Sequence, residues 1–411
     1  MDAELLAIGS ELTSGHTVNT NAQFLARQLQ ELGIACVRQA TVADDHFLIM
    51  QAVREALRRS RLLLMTGGLG PTFDDVTLAA VSQATGRRLV FVPSVARQIR
   101  AFCRKRRRRL NRLALRQAYL PAGATALPNP VGTAPGVWLP LKGTLLVALP
   151  GVPQEMRSIM ERTVVPRLRR WTGRVPILSR TLRTIGLVEL QIQTALRRLA
   201  IPDVVSVGLY PNLMAVDVRL TVSGTSPQRA RRILDRVERA LRARLGPAVY
   251  GVDAQTLEGL VGDMLVRRRE TLAIAESCTG GLVSDRITNV PGSSRYLLMT
   301  IVAYHNQAKQ DLLGVRGRAL ARDGAVSGPV ARAMAIGVRT RAGADIGLAI
   351  TGIAGPTGGT RTKPVGLVYL AVSDARGTTV KRSLFHGDRL AIKAQAAQLA
   401  LDLLRRRLVA G

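Results

Sequence analysis

The feature that most constrains the fold is an alternation of short apolar segments with amphipathic helical periods in the first and last thirds of the chain. In the first third, strand-like segments such as "AELLAIG" and "RLLLMTGG" alternate with helical patterns such as "NTNAQFLARQLQELG". The last third repeats this arrangement around "ETLAIAES", "YLLMTIVAY" and "ADIGLAIT". Strands that alternate with helices favour a parallel sheet with helices on both faces. We therefore predict two three-layer α/β domains.

Residues 173–250 follow a different pattern. The pattern predicts a small α+β module. Its elements are a strand-like segment, a helix, a hairpin made of "VVSVGLYP" and "MAVDVRLTVSG", and a long helix. Its outline is similar to a KH domain, but it lacks the GxxG loop that clamps a nucleic-acid backbone. The predicted domains are an α/β domain over residues 1–172, a KH-like module over 173–250 and an α/β domain over 251–411.

The length and the cysteine content limit the class of protein. The chain has 411 residues, and none of its apolar runs reaches the roughly 18 residues of a membrane span. Its first residues, "MDAELLAIGSEL", lack the basic segment that precedes the apolar core of a signal peptide. Cys36, Cys103 and Cys278 are too scattered for a disulfide framework or a zinc site. These features predict a cytoplasmic protein without a membrane partner.

The formal charge of +31 leaves two interpretations open. A polyanion such as nucleic acid is one partner that this charge fits. The other interpretation is that the arginines lie on solvated helix faces. The spread of basic residues along the chain and the 3% aromatic content favour this second interpretation. The exception is the segment from Arg97 to Arg116, which has ten basic residues and no acidic one. Salt-dependent binding would separate the two interpretations.

The first domain carries a glycine-rich turn directly after a buried strand, in "LLLMTGGLGPTFDD". Ligands bind at the carboxyl ends of strands in open α/β sheets, and glycines let backbone amides approach phosphate oxygens. Aspartates beyond such a turn suit a hard divalent ion that bridges those oxygens. Helix capping is the alternative role for each carboxylate. The predicted site consists of Glu11, Asn19, Asn21, Asp44, Gly67, Gly68, Gly70, Asp74 and Asp75, with Asp45 nearby, and its proposed divalent-metal ligands are Asp44, Asp74 and Asp75.

The first domain resembles the molybdopterin-binding fold as it occurs in the CinA (competence/damage-inducible protein A) family. The resemblance rests on "GSELTSGHTVNTNAQFLARQLQELG", "TGGLGPTFDD", "LPNPVGTAPG" and "LPGVPQEM". It implies metal-dependent hydrolysis of the pyrophosphate of ADP-ribose, with Asp44 and Asp75 at key acidic positions. Binding of molybdopterin itself is an alternative.

Residues 251–411 resemble the C-terminal, nicotinamide-nucleotide amidase domain of the same family. The resemblance rests on "AESCTGG", "PGSS", "VAYHNQAK", "DGAVS" and "ITGIAGPTGGTRTKPVG", in this order. It implies that nicotinamide mononucleotide is hydrolysed to nicotinic acid mononucleotide and ammonia, without a cofactor. A homodimer is expected. A basic DNA-associated protein is the alternative class, although the sequence contains no helix-turn-helix or zinc-finger motif.

Amide hydrolysis needs a nucleophile, a proton acceptor and oxyanion donors. The motif block has one histidine, His305, so a buried neutral lysine is the better candidate for the base. The resemblance implies that Ser294, Tyr304 and Lys309 react together and that Ser277 is a supporting contact. From the residues alone, Ser277 could equally cap the following helix.

Substrate contacts are predicted around the glycine-rich turns of the last domain. The turn after "ADIGLAIT" can offer donors to a phosphate or a carboxamide, and an arginine near the C-terminus could bind the nucleotide phosphate. The predicted contacts are Thr279, Gly280, Thr351, Gly352, Gly355 and Arg389.

Overall fold

The computed structural model describes residues 2–107, 109–172 and 177–410 of the chain. It is a mixed α/β structure, as the alternating pattern predicts. By internal contacts the chain divides into two compact units, one comprising Met1–Leu178 and Val222–Arg231 and the other Ser179–Thr221 and Arg232–Gly411.

The first unit is built on a six-stranded sheet with the order β2-β1-β3-β8-β7-β6. The four strands β2, β1, β3 and β8 are parallel, while β7 and β6 extend the sheet in antiparallel fashion. A separate two-stranded ladder joins β4 to β5. The strands are β1 (Asp2–Ile8), β2 (Ala35–Val42), β3 (Leu62–Thr66), β4 (Leu89–Phe91), β5 (Tyr119–Pro121), β6 (Thr125–Leu127), β7 (Gly136–Leu141) and β8 (Thr144–Leu149).

Helices cover both faces of this sheet because the central strands are apolar on both sides. In β3, Leu63 and Met65 belong to one hydrophobic core while Leu62 and Leu64 belong to the other. This division follows from the alternation of side chains along a strand. The helices are α1 (Ser10–Thr13), α2 (Thr20–Glu31), α3 (His46–Arg59), α4 (Thr77–Thr85), α5 (Pro93–Lys105), α6 (Pro153–Ile159) and α7 (Val165–Thr172), with a 3-10 segment at Arg112–Ala118 and a π turn at Met160–Val164.

The middle segment forms the predicted α+β module, with a four-stranded sheet of order β10-β11-β9-β12. Its last strand, β12, pairs antiparallel with β9 and ends at Val252, two residues beyond the predicted boundary at 250. Its elements are β9 (Leu178–Thr184), α8 (Glu189–Arg197), β10 (Val205–Asn212), β11 (Ala215–Val222), α9 (Pro227–Leu245) and β12 (Val249–Val252).

The C-terminal region contains a five-stranded sheet of order β14-β13-β15-β16-β17. The strands β14, β13 and β15 are parallel, and β16 and β17 complete the sheet as an antiparallel pair. Two hydrophobic cores again lie on its opposite faces, which confirms the three-layer prediction. The elements are α10 (Leu257–Arg268), β13 (Leu272–Glu276), α11 (Leu282–Thr288), β14 (Leu297–Val302), α12 (Asn306–Leu313), α13 (Gly317–Asp323), α14 (Gly328–Ala342), β15 (Ile346–Gly352), β16 (Leu367–Asp374), β17 (Gly377–Leu384) and α15 (Arg389–Val409).

Among the described residues, no helix combines the length and the apolar character that crossing a membrane requires.

Candidate active site

The three parallel strands of the C-terminal sheet bring polar residues together at their carboxyl ends. The register pairs Glu276, the last residue of β13, with Val302 of β14 and with Ile350 of β15. The turns that follow these strands therefore meet at one edge of the sheet, as predicted for a ligand site.

The turn after β13 is held in place by Glu276, which is completely buried. Its carboxylate accepts hydrogen bonds from the backbone N–H groups of Gly281 (3.0 Å), Val283 (3.2 Å) and Ser284 (2.8 Å) and from the Ser284 hydroxyl (2.6 Å). The acid thus satisfies the free donors at the start of α11. Since Glu276 supplies these acceptors, the Ser277 hydroxyl is not needed as a helix cap.

Lys309 lies in the first half of α12 with its side chain buried, at 1% exposure. Its Nζ atom is 3.1 Å from the Ser277 hydroxyl oxygen, 2.7 Å from the Ala303 carbonyl and 3.1 Å from the Tyr304 carbonyl. Among the described residues, Lys309 forms no ion pair. A lysine buried beside neutral oxygens lacks the partner that normally compensates a buried charge.

Burial changes the acidity of two groups at this site. It lowers the pKa of Lys309 from its ordinary value of 10.5, which favours the neutral amine. It raises the pKa of the neighbouring Cys278 thiol to about 12. Because the thiolate is the reactive form of cysteine, the buried Cys278 thiol is poorly suited to act as a nucleophile.

Tyr304 contacts Lys309 through its backbone carbonyl, whereas its ring is 59% exposed. The phenol oxygen of Tyr304 accepts a hydrogen bond from Arg389 at 2.8 Å, and the same guanidinium donates to the Gly355 carbonyl at 2.7 Å. The Tyr304 hydroxyl is therefore engaged with the rim of the site instead of assisting the Lys309 amine directly. The His305 ring accepts from the backbone of Gln307 and caps α12.

The predicted substrate contacts around the turns have different roles. The Thr351 hydroxyl donates to the Ala325 carbonyl at 2.9 Å, so it braces a neighbouring loop. The buried Thr279 hydroxyl has no hydrogen-bond partner among the described residues. A Cβ atom placed on Gly280 would lie 3.6 Å from Nζ of Lys393, which brings a second lysine to the turn. Gly352 ends β15 beside these residues.

The structure does not bring Ser294 to this site, which corrects the expectation that it reacts with Lys309. Ser294 is exposed in a 3-10 turn, Ser293–Arg295, that precedes β14. Lys309 and Tyr304 follow the same strand at its other end. Six residues of extended chain separate the two ends by about 20 Å. Ser277, and not Ser294, is the hydroxyl within reach of the lysine.

The N-terminal sheet also gathers polar groups at its carboxyl edge. The Asn21 amide donates to the Thr66 hydroxyl at 3.2 Å and to the Gly151 carbonyl at 2.7 Å, which ties α2 to the ends of β3 and β8. The Asn21 carbonyl oxygen is buried without a hydrogen-bond partner among the described residues. Asn19 caps α2 through the backbone of Ala22.

The glycine-rich turn after β3 is shaped by packing and by Asp75. Gly67 has φ +113°, and a Cβ atom there would lie 2.0 Å from the Ile8 carbonyl, so a side chain does not fit. The Asp75 carboxylate accepts from the backbone of Gly70 at 2.7 Å and of Thr72 at 2.8 Å, and from the Thr72 hydroxyl. Asp75 therefore closes the loop. Gly68 adopts φ +64° in the same turn, next to Thr77.

The proposed metal ligands are not assembled into a ligand set. Asp44 accepts from the backbone of Ser10 at 2.7 Å, whereas both oxygens of Asp75 already receive donors from its own loop. Asp74 is exposed. The part of the chain that the structure describes contains no group of three or more His, Cys, Asp or Glu residues arranged to hold a metal ion. This corrects the prediction that Asp44, Asp74 and Asp75 together form a metal site.

Two other carboxylates lie near this edge, and one of them has a local structural role. Asp45 accepts from the backbone of Leu48 at 2.9 Å and caps α3, which is the alternative role that the sequence allows for each carboxylate. Glu11 is in the short helix α1, and a Cβ atom on Gly9 would lie 2.6 Å from its carboxylate.

Two acidic residues at these edges are not among the predicted site residues. Glu276 is one of them, although an acid at the end of an apolar strand is a recognisable signal. Glu155, in the first turn of α6, accepts from the Asn129 amide at 2.6 Å, and burial raises the pKa of this carboxyl group. Gly132 lies so close that a Cβ atom there would be 2.1 Å from the Glu155 carboxylate. Long-range pairing of this kind cannot be read from sequence spacing.

The fold and its two polar edges define a multidomain α/β protein with one candidate site at the carboxyl end of each parallel sheet. Three family models match the chain and narrow this class of protein further. Residues 4–170 match the model of a molybdopterin-binding domain, 179–251 that of the CinA KH domain and 254–408 that of the CinA C-terminal domain. The chain belongs to the CinA family.

Two relatives of similar length support this membership. A competence-damage inducible protein of Moorella thermoacetica is 44% identical over 409 residues, which is 99% of each chain. A CinA-like protein of Kosmotoga olearia is 41% identical and covers 100% of this chain and 99% of its own. A crystal structure of a CinA superfamily protein from Klebsiella pneumoniae is 35% identical over 38% of this chain and 97% of its own, with a TM-score of 0.37.

Proposed function

We propose that this chain hydrolyses the carboxamide of nicotinamide mononucleotide, releasing nicotinic acid mononucleotide and ammonia. The observation that carries the proposal is the buried Lys309 amine 3.1 Å from the Ser277 hydroxyl. A nucleophile within hydrogen-bond reach of a base is the arrangement that acyl transfer requires. The substrate itself is inferred from the family resemblance.

The contacts of Lys309 are compatible with a neutral amine. A neutral amine has two N–H donors and one lone pair, whereas an ammonium has three donors and no lone pair. The two N–H groups can donate to the carbonyls of Ala303 and Tyr304, at 2.7 and 3.1 Å. The lone pair is then free to accept the proton of the Ser277 hydroxyl. No histidine is required.

In the proposed reaction, Ser277 Oγ attacks the carboxamide carbon while Lys309 takes the hydroxyl proton. The tetrahedral oxyanion is stabilised by backbone N–H groups of the glycine-rich turn that Glu276 holds rigid. Lys309 then gives its proton to the departing ammonia, which leaves an ester on Ser277. Lys309 then takes a proton from a water molecule whose oxygen attacks the ester carbon. The carboxylic acid is released as Lys309 returns that proton to Ser277 Oγ.

The cationic rim suits the phosphate of the nucleotide. The Arg389 guanidinium is oriented by the Gly355 carbonyl and the Tyr304 hydroxyl. Lys393 follows it by four residues on α15, so both side chains project from one face of the helix. We propose that Arg389 contacts the phosphate and that Lys393 reinforces its charge.

The proposal is tested by incubating the full chain with nicotinamide mononucleotide and measuring ammonia release. We expect turnover by the wild-type protein and little by Ser277→Ala. A wild-type protein that releases no ammonia from this nucleotide over a broad range of pH would contradict the proposed activity.

The rate of ammonia release should increase with pH. A proton on Lys309 blocks its action as a base, and burial lowers the pKa of this group below 10.5. We therefore expect kcat to rise as pH increases through the lowered pKa and to level off above it. The measurement is kcat at saturating nucleotide from about pH 6 to about pH 10. A kcat that falls steadily over this range would contradict a neutral lysine base.

The N-terminal domain is a candidate for a second activity, hydrolysis of the pyrophosphate of ADP-ribose. The observation that favours it is the unpartnered, buried carbonyl oxygen of Asn21 beside the ends of β3 and β8. Because the described residues do not assemble a metal-ligand set, we assign no catalytic step to an ion held by the protein.

A chelator should separate the two proposed activities. A divalent ion can be bound mainly through substrate phosphates with few protein ligands. We therefore expect EDTA to abolish release of AMP from ADP-ribose and to leave release of ammonia from nicotinamide mononucleotide unchanged. Following both products in the same preparation makes the comparison direct. Equal loss of both activities would contradict this partition.

A further inference from the structure

We propose that the α5 region of the N-terminal domain binds the sugar-phosphate backbone of single-stranded nucleic acid. The binding surface comprises the arginines of α5, the exposed basic residues 105–107 at the C-terminal end of this helix and an exposed aromatic pair near its first turn. It shares no residue with either candidate site described above.

The first argument is the distribution of charge. Between Val76 and Gln154 the chain has 13 Lys and Arg residues and no Asp or Glu, so this stretch supplies 13 of the 31 net positive charges. Elsewhere, many arginines are paired with acids; Arg180, for example, binds Asp235 and Glu238. Among the described residues, no ion pair involves a residue of this acid-free stretch.

The second argument is the arrangement of the arginines on α5. Arg97, Arg100 and Arg104 follow one another at helical spacing and are all exposed. They extend about 10 Å along the helix axis. The depression beside them has a volume of about 620 Å³ and is also lined by Leu110. Unpaired arginines in a line provide the cationic track along which a phosphate backbone can lie.

The third argument is a pair of exposed rings. Phe91 and Tyr119 face each other across the β4–β5 ladder, with ring centroids 5.3 Å apart. They are 43% and 45% exposed. Phe91 precedes the start of α5 by two residues, so the rings lie at the base of the basic helix. Exposed aromatic faces beside a cationic groove are the platform on which unpaired bases stack.

A lipid surface fits these observations less well. Helices that lie on membranes bury an apolar face in the bilayer. Four apolar residues of α5, Val95, Ala96, Ile99 and Cys103, are already buried in the protein core. Phe102 is half-buried, so the exposed face of the helix presents arginines and no large apolar side chain, which suits a phosphate backbone in solution.

The test is the fluorescence anisotropy of a labelled oligothymidylate of about 20 nucleotides, titrated with the full chain at several salt concentrations. The wild-type protein should bind, with affinity that falls as salt rises. Arg100→Gln/Arg104→Gln should weaken binding and reduce the slope of log K against log[salt] by about 1.4, since each phosphate contact on a single strand contributes about 0.7. Arg100→Lys/Arg104→Lys keeps both charges and should retain the wild-type slope.

The matched control is Arg229→Gln/Arg232→Gln, which removes the same charge from exposed positions of α9, a helix that also carries acidic residues. This variant should bind as the wild type does. For the aromatic pair, Tyr119→Ala should lower affinity about 5-fold or more, and Tyr119→Phe should restore it. Circular dichroism and Tm establish that each variant is folded.

Four results would overturn the proposal. The first two are no binding in low salt and an unchanged slope of log K against log[salt] in the α5 glutamine variant. The third is an equal loss of affinity in the α9 control. The fourth is tighter binding to duplex DNA or to phosphatidylserine vesicles than to the oligothymidylate. Equal loss in the control would mean that net charge alone drives association.

Discussion

Replacing Lys309 by arginine should lower kcat for ammonia release by roughly 10²–10⁴-fold, the usual contribution of a general base. Arginine keeps the positive charge, but its guanidinium stays protonated and cannot accept the Ser277 proton. If Lys309 served only as a fixed positive charge, the variant would keep most of its rate and would chiefly alter KM. The measurement is kcat and KM for nicotinamide mononucleotide in the full chain.

Because Lys309 is buried at 1% exposure, the larger guanidinium could disturb its surroundings. Lys309→Met is therefore the second variant, since it has a similar shape and removes the buried amine. It should be as slow as the arginine variant while KM stays near the wild-type value. Tm for both variants distinguishes loss of chemistry from loss of the fold. Near-normal kcat in a folded Lys309→Met protein would eliminate Lys309 as the base.

Replacing Ser277 by alanine should reduce kcat by at least about 10³-fold, whereas Ser294→Ala should remain within about twofold of the wild type. The reason is distance. Ser277 Oγ is 3.1 Å from the lysine amine, whereas Ser294 precedes the strand whose other end leads to Lys309. Both substitutions remove one hydroxyl, so Ser294→Ala is the matched control for loss of a serine.

Combining Ser277→Ala with Lys309→Met should cost little more than either change alone, because members of one catalytic unit act together. If the increases in activation free energy of the two single variants simply added in the double variant, the two residues would act separately. A severe loss in Ser294→Ala, with Ser277→Ala active, would reverse the assignment of the nucleophile.

Much of the fold is predictable because it depends on local periodicity. The strand "LLLMT" is apolar at every position and is buried at every position between two helical layers. The hairpin and the long helix of the middle module likewise follow from period-2 and period-3.6 patterns. The carboxyl-edge location of both candidate sites follows from the parallel order of the strands.

The roles of individual residues within the sites are less predictable. Asp75 resembles a metal ligand in sequence, yet its oxygens close its own loop. Ser277 resembles a helix cap, yet Glu276 occupies that role. In each case the hydrogen-bond partner is a neighbouring group in the same turn. The conformation of the turn decides which groups meet, and several conformations are compatible with the same sequence.

By itself, the sequence determined the three-part α/β organisation, the unusual charge of residues 76–154 and the choice of Lys309 as the candidate base. The first two follow from periodicity and composition, and the third follows from the family resemblance together with the near-absence of histidine in the motif block. Only the tertiary structure decided which serine meets that lysine. Ser277 and Lys309 are 32 residues apart, and Ser294, 15 residues from Lys309, is closer in sequence but lies at the far end of β14. Proximity in a parallel sheet is set by which strand end a residue follows, and not by its distance along the chain.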